Sequence, residues 1–221
     1  MRQRLQFRAG GERDYSGAAP AFGKSRPERD EILSTALWAF IAMATSLFAL
    51  FIASYLMRIQ SSDWHPIALP RQLWLSTALL LAASAAMHCA GYAARRWHGS
   101  ALRKLLLGAG LCMFAFLAVQ SWAWQALLAN QVSAVGNPAA SYFYLLTAMH
   151  GLHVAGGLIA WAIVARGARQ RSLAALPWLG SARRIGMCAR YWDFLLLAWL
   201  ALFATMSGLS GELIRFVCGT S

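Results

Sequence analysis

Residues 140–166 read ASYFYLLTAMHGLHVAGGLIAWAIVAR, and between Ser141 and Ala165 there is no Lys, Arg, Asp or Glu. At about 20 residues per crossing and about 1.5 Å of rise per residue, a run of this length spans a bilayer as a helix. His150 and His153 stand three residues apart within it, which puts both on one side of that helix. Gly151 with Ala155, and Gly156 with Ala160, form small-xxx-small pairs that let a neighbouring backbone come close. The pattern predicts a transmembrane helix enclosed by other helices rather than bathed in lipid.

The rest of the chain agrees with a membrane class. Of 221 residues, 59% are hydrophobic and only 13% charged, against about 25% charged in a soluble domain. The formal charge of +12 would suggest nucleic acid in a soluble protein, but here most Lys and Arg flank apolar runs, where they anchor cytoplasmic loops. Cys89, Cys112, Cys188 and Cys218 include no CxxC pair and show no metal-site spacing. Cys89 and Cys112 fall inside apolar runs and read as small buried hydrophobes.

Five apolar runs cover about 33–57, 73–94, 105–129, 141–165 and 191–209, within a membrane domain of 32–217. Residues 1–31 carry seven basic and five acidic residues with scattered Gly and Pro. They lack the apolar core of a signal peptide and read as a disordered cytoplasmic tail. Arg95, Arg96, Arg103 and Lys104 follow the second run; Arg166, Arg169, Arg171, Arg183, Arg184 and Arg190 follow the fourth. Residues 130–140 have no charge, and the first loop has only Arg58, Asp63 and Arg71. The positive-inside bias then puts the N-terminus in the cytoplasm and the C-terminus outside. Trp38, Trp64, Trp74, Trp122, Tyr142, Tyr191 and Trp192 are expected near helix ends, where amphipathic rings prefer the interface. No internal repeat supports an inverted-repeat transporter.

Ionisable groups at membrane depth are functional candidates because hydrocarbon makes them costly. The first four runs hold no acidic residue in their interiors. Asp193 is expected near the cytoplasmic boundary, in an interfacial ion pair with Arg190, and Glu212 similarly with Arg215. His88 with His150 or His153 is the one arrangement that would ligate a haem, as in an independent b-type cytochrome. A copper or zinc site on His150 and His153 lacks further ligands, since His65 and His98 fall in loops at opposite faces. The simplest reading of the intramembrane histidines is neutral rings hydrogen-bonded between helices. Ser76, Thr77, Ser84, Gln120 and Thr147 read as packing groups bonded to their own helices. No nucleophile has an identifiable base, and no phosphate-binding loop occurs.

Asn137-Pro138-x-Ala140-Ser141-x-Phe143-Tyr144-Leu145-Leu146-Thr147, followed by His150-Gly151-Leu152-His153-Val154-x-Gly156-Gly157, resembles the signature helix of cytochrome c oxidase subunit III. Three further stretches resemble that family in the same order: Phe48-Ala49-Leu50-x-x-x-Ser54-Tyr55-Leu56, then Trp64-x-Pro66-x-x-Leu69-Pro70 with Leu73-Trp74-Leu75-x-Thr77-Ala78, and Tyr191-Trp192-Asp193-Phe194. The resemblance implies an all-α five-transmembrane-helix bundle, like bacterial forms without the first two helices of longer members. It implies a non-catalytic subunit of a haem-copper terminal oxidase in aerobic respiration, without a redox centre of its own. Haem and copper are then expected on partner subunits, with subunit I and subunit II as neighbours, phospholipid bound, and the bacterial cell (inner) membrane as location. His150, His153, Tyr144, Trp74, Tyr55, Trp192 and Asp193 become the expected interhelical or lipid-cleft contacts; no catalytic, cofactor or metal residue is expected. Family members often carry a glutamate where residues 42–46 have none, and a histidine where this chain has Asp193. The same resemblance extends to accessory proteins associated with nitric oxide reductases, the alternative function.

Overall fold

The computed structural model describes residues 26–59, 61–65, 67, 69–96, 99–132, 137–173 and 179–207. They form five helices: α1 (Arg26–Arg58), α2 (Gln72–Arg95), α3 (Gly99–Ala129), α4 (Pro138–Leu173) and α5 (Leu179–Met206). Each is long and apolar enough to cross a membrane, so the five-helix transmembrane bundle read from the sequence is what the chain forms. Most of the sequence expected as tail (1–25), the expected end of the last run, the Glu212–Arg215 pair, Cys218 and His98 lie outside the described residues.

Local chemistry fixes the helix ends. Asn137 caps α4, its Oδ1 accepting the Ala139 N–H at 3.0 Å, and Pro138 takes the first helical position, where no backbone donor is needed. The same Asn137 donates through Nδ2 to the His65 carbonyl at 2.8 Å, tying the first loop to the start of α4. Helix α3 stops where Gln131 turns to a φ of 60°. There the Val132 N–H reaches back to the Leu127 carbonyl and the Gln131 N–H to that of Leu128, the double bond pattern of a left-handed helix stop.

Helices α2, α3, α4 and α5 close a ring in which each packs against the next and α5 returns to α2; α1 lies outside, against α5 and α4. The ring encloses Leu80, Met87, Met113, Phe116, Val154, Trp192, Leu195 and Trp199. Outward faces carry large apolar side chains, among them Met43, Leu111, Leu152 and Ile159, as lipid-facing helices do. Two glycines set the closest approaches. A Cβ on Gly110 would overlap the Trp161 ring, and one on Gly157 would come within 3.0 to 3.2 Å of Tyr191, Trp192 and Leu195.

This corrects the expected ridge. Gly151 has nothing within 4 Å of a would-be Cβ, and at Gly156 the nearest atom is the Tyr191 hydroxyl at 4.0 Å. The small residue that admits α5 is Gly157, next to the pair picked out by spacing.

The last two helices also begin and end differently from the apolar runs. Helix α4 continues to Leu173 and α5 starts at Leu179, so Arg166, Arg169, Arg183, Arg184 and Arg190 are on helices rather than in a loop. Hydropathy marks where a helix meets hydrocarbon, not where its hydrogen bonding stops. Tyr191, Trp192 and Asp193 directly follow Arg190 inside α5, three to four turns after its first residue rather than at its start.

Candidate functional site

The side chains singled out by sequence separate into three groups along the bundle. The first is a histidine and aromatic seam where α1, α3, α4 and α5 meet. His150 is wholly buried, its ring 5.2 Å from Trp199, 5.7 Å from Phe116 and 6.2 Å from Phe48 by centroids. Neither ring nitrogen has a hydrogen-bond partner among the described residues. His153 turns toward α1, with its ring 5.1 Å from Phe48 and 6.0 Å from Phe40. Its Nδ1 donates to the Met149 carbonyl of its own helix at 2.7 Å, while its backbone carbonyl accepts the Tyr191 hydroxyl at 2.9 Å.

Both histidines therefore contact other helices through ring faces and not through the expected interhelical hydrogen bonds. Phe48, Phe116 and Trp199 surround the His150 ring, while His153 finds its partner in the carbonyl one turn back on its own helix. Trp192, 1% exposed, packs closely against Gly157 beside this seam.

The second group lies toward the other end of the bundle. Tyr55 stands edge-on to Trp64 at 5.1 Å and to Tyr142 at 5.8 Å, and the Ser54 and Tyr142 hydroxyls share a hydrogen bond of 2.7 Å. The Tyr144 hydroxyl donates to the Val132 carbonyl, and its ring meets Trp124 at 5.9 Å. Trp124 Nε1 donates to Thr147 Oγ1, which itself donates back to Phe143. Trp199 Nε1 likewise donates to Thr77, and Gln120 Nε2 to Ser76. These hydroxyls bond their own helices, as expected, and in addition accept from a neighbour, which the sequence reading did not find. Trp74, by contrast, is 67% exposed and makes an edge contact with Phe203 at 5.0 Å.

The third group is built on Asp193. Rather than pairing with Arg190, its carboxylate meets His88 Nε2, 2.9 Å from each oxygen, and accepts the Ser84 hydroxyl at 2.7 Å. Ser84 and His88 are one turn apart on α2, so a single stripe of α2 holds both partners. Sequence spacing could not reveal this, since the partners are more than 100 positions from Asp193. His88 and His150 are not presented to a common haem. Helices α2 and α4 do not pack against each other, His88 Nε2 is engaged by Asp193, and His150 is walled in by aromatic rings. Among the described residues no three His, Cys, Asp or Glu gather closely enough to hold a metal ion.

No protein-family model matches the chain. Curated proteins do. Over 188 residues, covering 80% of this chain and 88% of the relative, it is 29% identical to the probable cytochrome c oxidase subunit 3 of Nocardia farcinica. It is 27% identical to the protein of the same name from Mycobacterium bovis and 26% to that from Mycobacterium leprae, each with 80% of this chain and 88% of the relative covered.

Proposed function

Because the chain belongs to the cytochrome c oxidase subunit III family, we propose that this multi-pass membrane protein is the non-catalytic subunit III of a haem-copper terminal oxidase. It packs beside a catalytic subunit I, with subunit II in the same assembly, and supports assembly and sustained turnover in aerobic respiratory electron transport. Haem and copper belong to those partners, and phospholipid fills grooves on the outside of this chain. The complex lies in the bacterial cell membrane with the arginine-rich ends of α2 to α5 in the cytoplasm.

The observation that carries the reading is the match across four fifths of the chain to proteins of one name. The interior supports it: His150 and His153 pack against aromatic rings of α1, α3 and α5, as a bracing element requires.

The test is affinity purification of the tagged chain from membranes of its own host. The expected eluate contains a haem-bearing catalytic subunit, with oxygen consumption from an added donor. An eluate holding nitric oxide reductase would favour the accessory role instead, and the chain eluting alone beside intact oxidase activity would refute both.

A further inference from the structure

Helices α1 and α2 both pack on α5 but not on each other, so a cleft runs between them with α5 as its floor. Near its arginine-rich end this cleft holds a groove of about 460 Å³, lined by Ser34 of α1, Arg95 of α2, and Arg183, Gly186, Met187 and Arg190 of α5. Arg183, Gly186 and Arg190 follow one another at intervals of about one turn and so share one face of α5. A Cβ on Gly186 would meet nothing within 4 Å, so the floor between the two α5 arginines is open space.

Three guanidinium groups therefore line one concavity, and no described Asp or Glu lines it with them. Asp193, the expected partner of Arg190, is turned to His88 and Ser84. Arg95 and Arg190 are exposed and form no ion pair among the described residues, and neither does Glu31, three residues before Ser34. The Ser34 hydroxyl has no hydrogen-bond partner there either, whereas Thr45 and Ser46 further along α1 each donate to the carbonyl four residues back. Guanidinium groups keep their charge throughout the physiological pH range and repel one another unless an anion lies between them. A carboxylate offers two oxygens in one plane. A phosphate offers oxygens in several directions and can accept from forks on two helices and a hydroxyl on a third.

The groove adjoins apolar surface. Arg95 ends the apolar run of α2 and Arg190 immediately precedes that of α5. On α1, Trp38, one turn on from Ser34, is 56% exposed; on α5, Leu197, two turns on from Arg190, is 65% exposed. An occupant with an anionic head and an apolar body meets both kinds of surface, and a soluble phosphate meets only one.

We propose that this groove binds the phosphate of an anionic membrane phospholipid, held by Arg95, Arg183 and Arg190, with the Ser34 hydroxyl donating a further hydrogen bond. A zwitterionic headgroup would add a like charge to the three arginines, so the site selects for net negative charge. This deepens the reading of the chain as a lipid-bearing membrane subunit and rests on it.

The experiment uses the full chain with whatever subunits purify with it, and measures bound lipid by mass spectrometry of the intact assembly. The probes are phosphatidylglycerol and phosphatidylcholine with the same acyl chains. The native chain is expected to retain phosphatidylglycerol about tenfold better, the equivalent of one charge-assisted hydrogen bond. Arg95→Gln with Arg190→Gln should abolish that preference. Arg103→Gln with Lys104→Gln makes the same change of charge on α3, which does not line the groove, and should keep it. Gly186→Phe fills the groove at constant charge and replaces a poor helix former; it should lose the preference as the arginine variant does. Equal retention of the two lipids by the native chain would overturn the proposal. Equal loss in the α3 variant would do so too, since it would show a diffuse attraction to the basic end of the bundle. Displacement of the lipid by inorganic phosphate at about 1 mM would overturn it in favour of a soluble occupant. If one groove variant does not fold, the other decides. The lipid measurement needs no partner: a chain that purifies alone yet keeps the preference would refute the subunit reading and leave the site, and an intact complex without the preference would do the reverse.

Discussion

His150 shows how a polar residue can serve as a shape. Its nitrogens bond to nothing among the described residues, so its value is in the contacts of its ring with Phe48, Phe116 and Trp199. His150→Phe keeps a flat ring there and removes two unsatisfied polar atoms, so its thermal midpoint in detergent should match or exceed the native value. His150→Ala should lower stability by about 2–5 kcal/mol through the cavity it leaves. Equal damage from both would show that the nitrogens matter. Gly157 and Gly151 form a similar contrast. Gly157→Ala presses a methyl against Tyr191, Trp192 and Leu195 and should cost about 1–3 kcal/mol; Gly151→Ala meets nothing and should be neutral in the same assay. In the first loop, Asp63 pairs with Arg58 at 2.6 Å. The Ser61 hydroxyl, its own backbone N–H and the charges of Arg58 and His65 hold its carboxyl below the ordinary value of 3.8, against the opposing effect of lost hydration. A depressed carboxylate contributes above its unfolded value and stops contributing as pH falls through the folded one. Asp63→Asn should therefore weaken the loop well above pH 3.8 and have no effect once pH falls well below it; an effect that persists at the acid end would contradict the assignment.

At the scale of the elements, the number and order of helices were legible because hydrocarbon demands long apolar runs with satisfied backbones. Their ends were not, for the same reason. Arg183, Arg184 and Arg190 interrupt a hydropathy profile without interrupting a helix, so α5 was expected to begin 12 residues late. The motif helix was recognised, but its start was read at Ser141, where the structure begins it at Pro138 under an Asn137 cap. What its residues touch depends on partners from α1, α3 and α5, which no spacing along one helix contains. Helix α1 is the least held of the five, since it meets only α4 and α5; Phe48 touches both seam histidines and Phe40 touches His153. Phe48→Ala should loosen it by roughly 2 kcal/mol, the cavity share of the cost, because lipid contributes no hydrophobic drive between helices. Faster hydrogen exchange along α1 with α2 to α5 unchanged would be the signature, and Met43→Ala, at an exposed position, should leave exchange as it was.

On the scale of the whole molecule, the ring of four with an outlying fifth gives a body whose two ends differ in charge. Arg95, Arg96, Arg103, Lys104, Arg166, Arg169, Arg183, Arg184 and Arg190 gather at the end where α2 and α4 finish and α3 and α5 begin. Reporter fusions should accordingly give cytoplasmic activity after Arg96 and external activity after Gln131; the reverse pattern would invert the topology. Helix α4 alone has 36 residues, about 54 Å of rod, where a hydrocarbon slab is about 30 Å thick. Tilts of up to about 40° absorb only part of that excess. The arginine-bearing ends of α4 and α5 would then form a stub that extends past the hydrocarbon on that side. Such a stub would act as a depth stop: it sets how far the whole body can sink into the bilayer before arginines would have to shed their water.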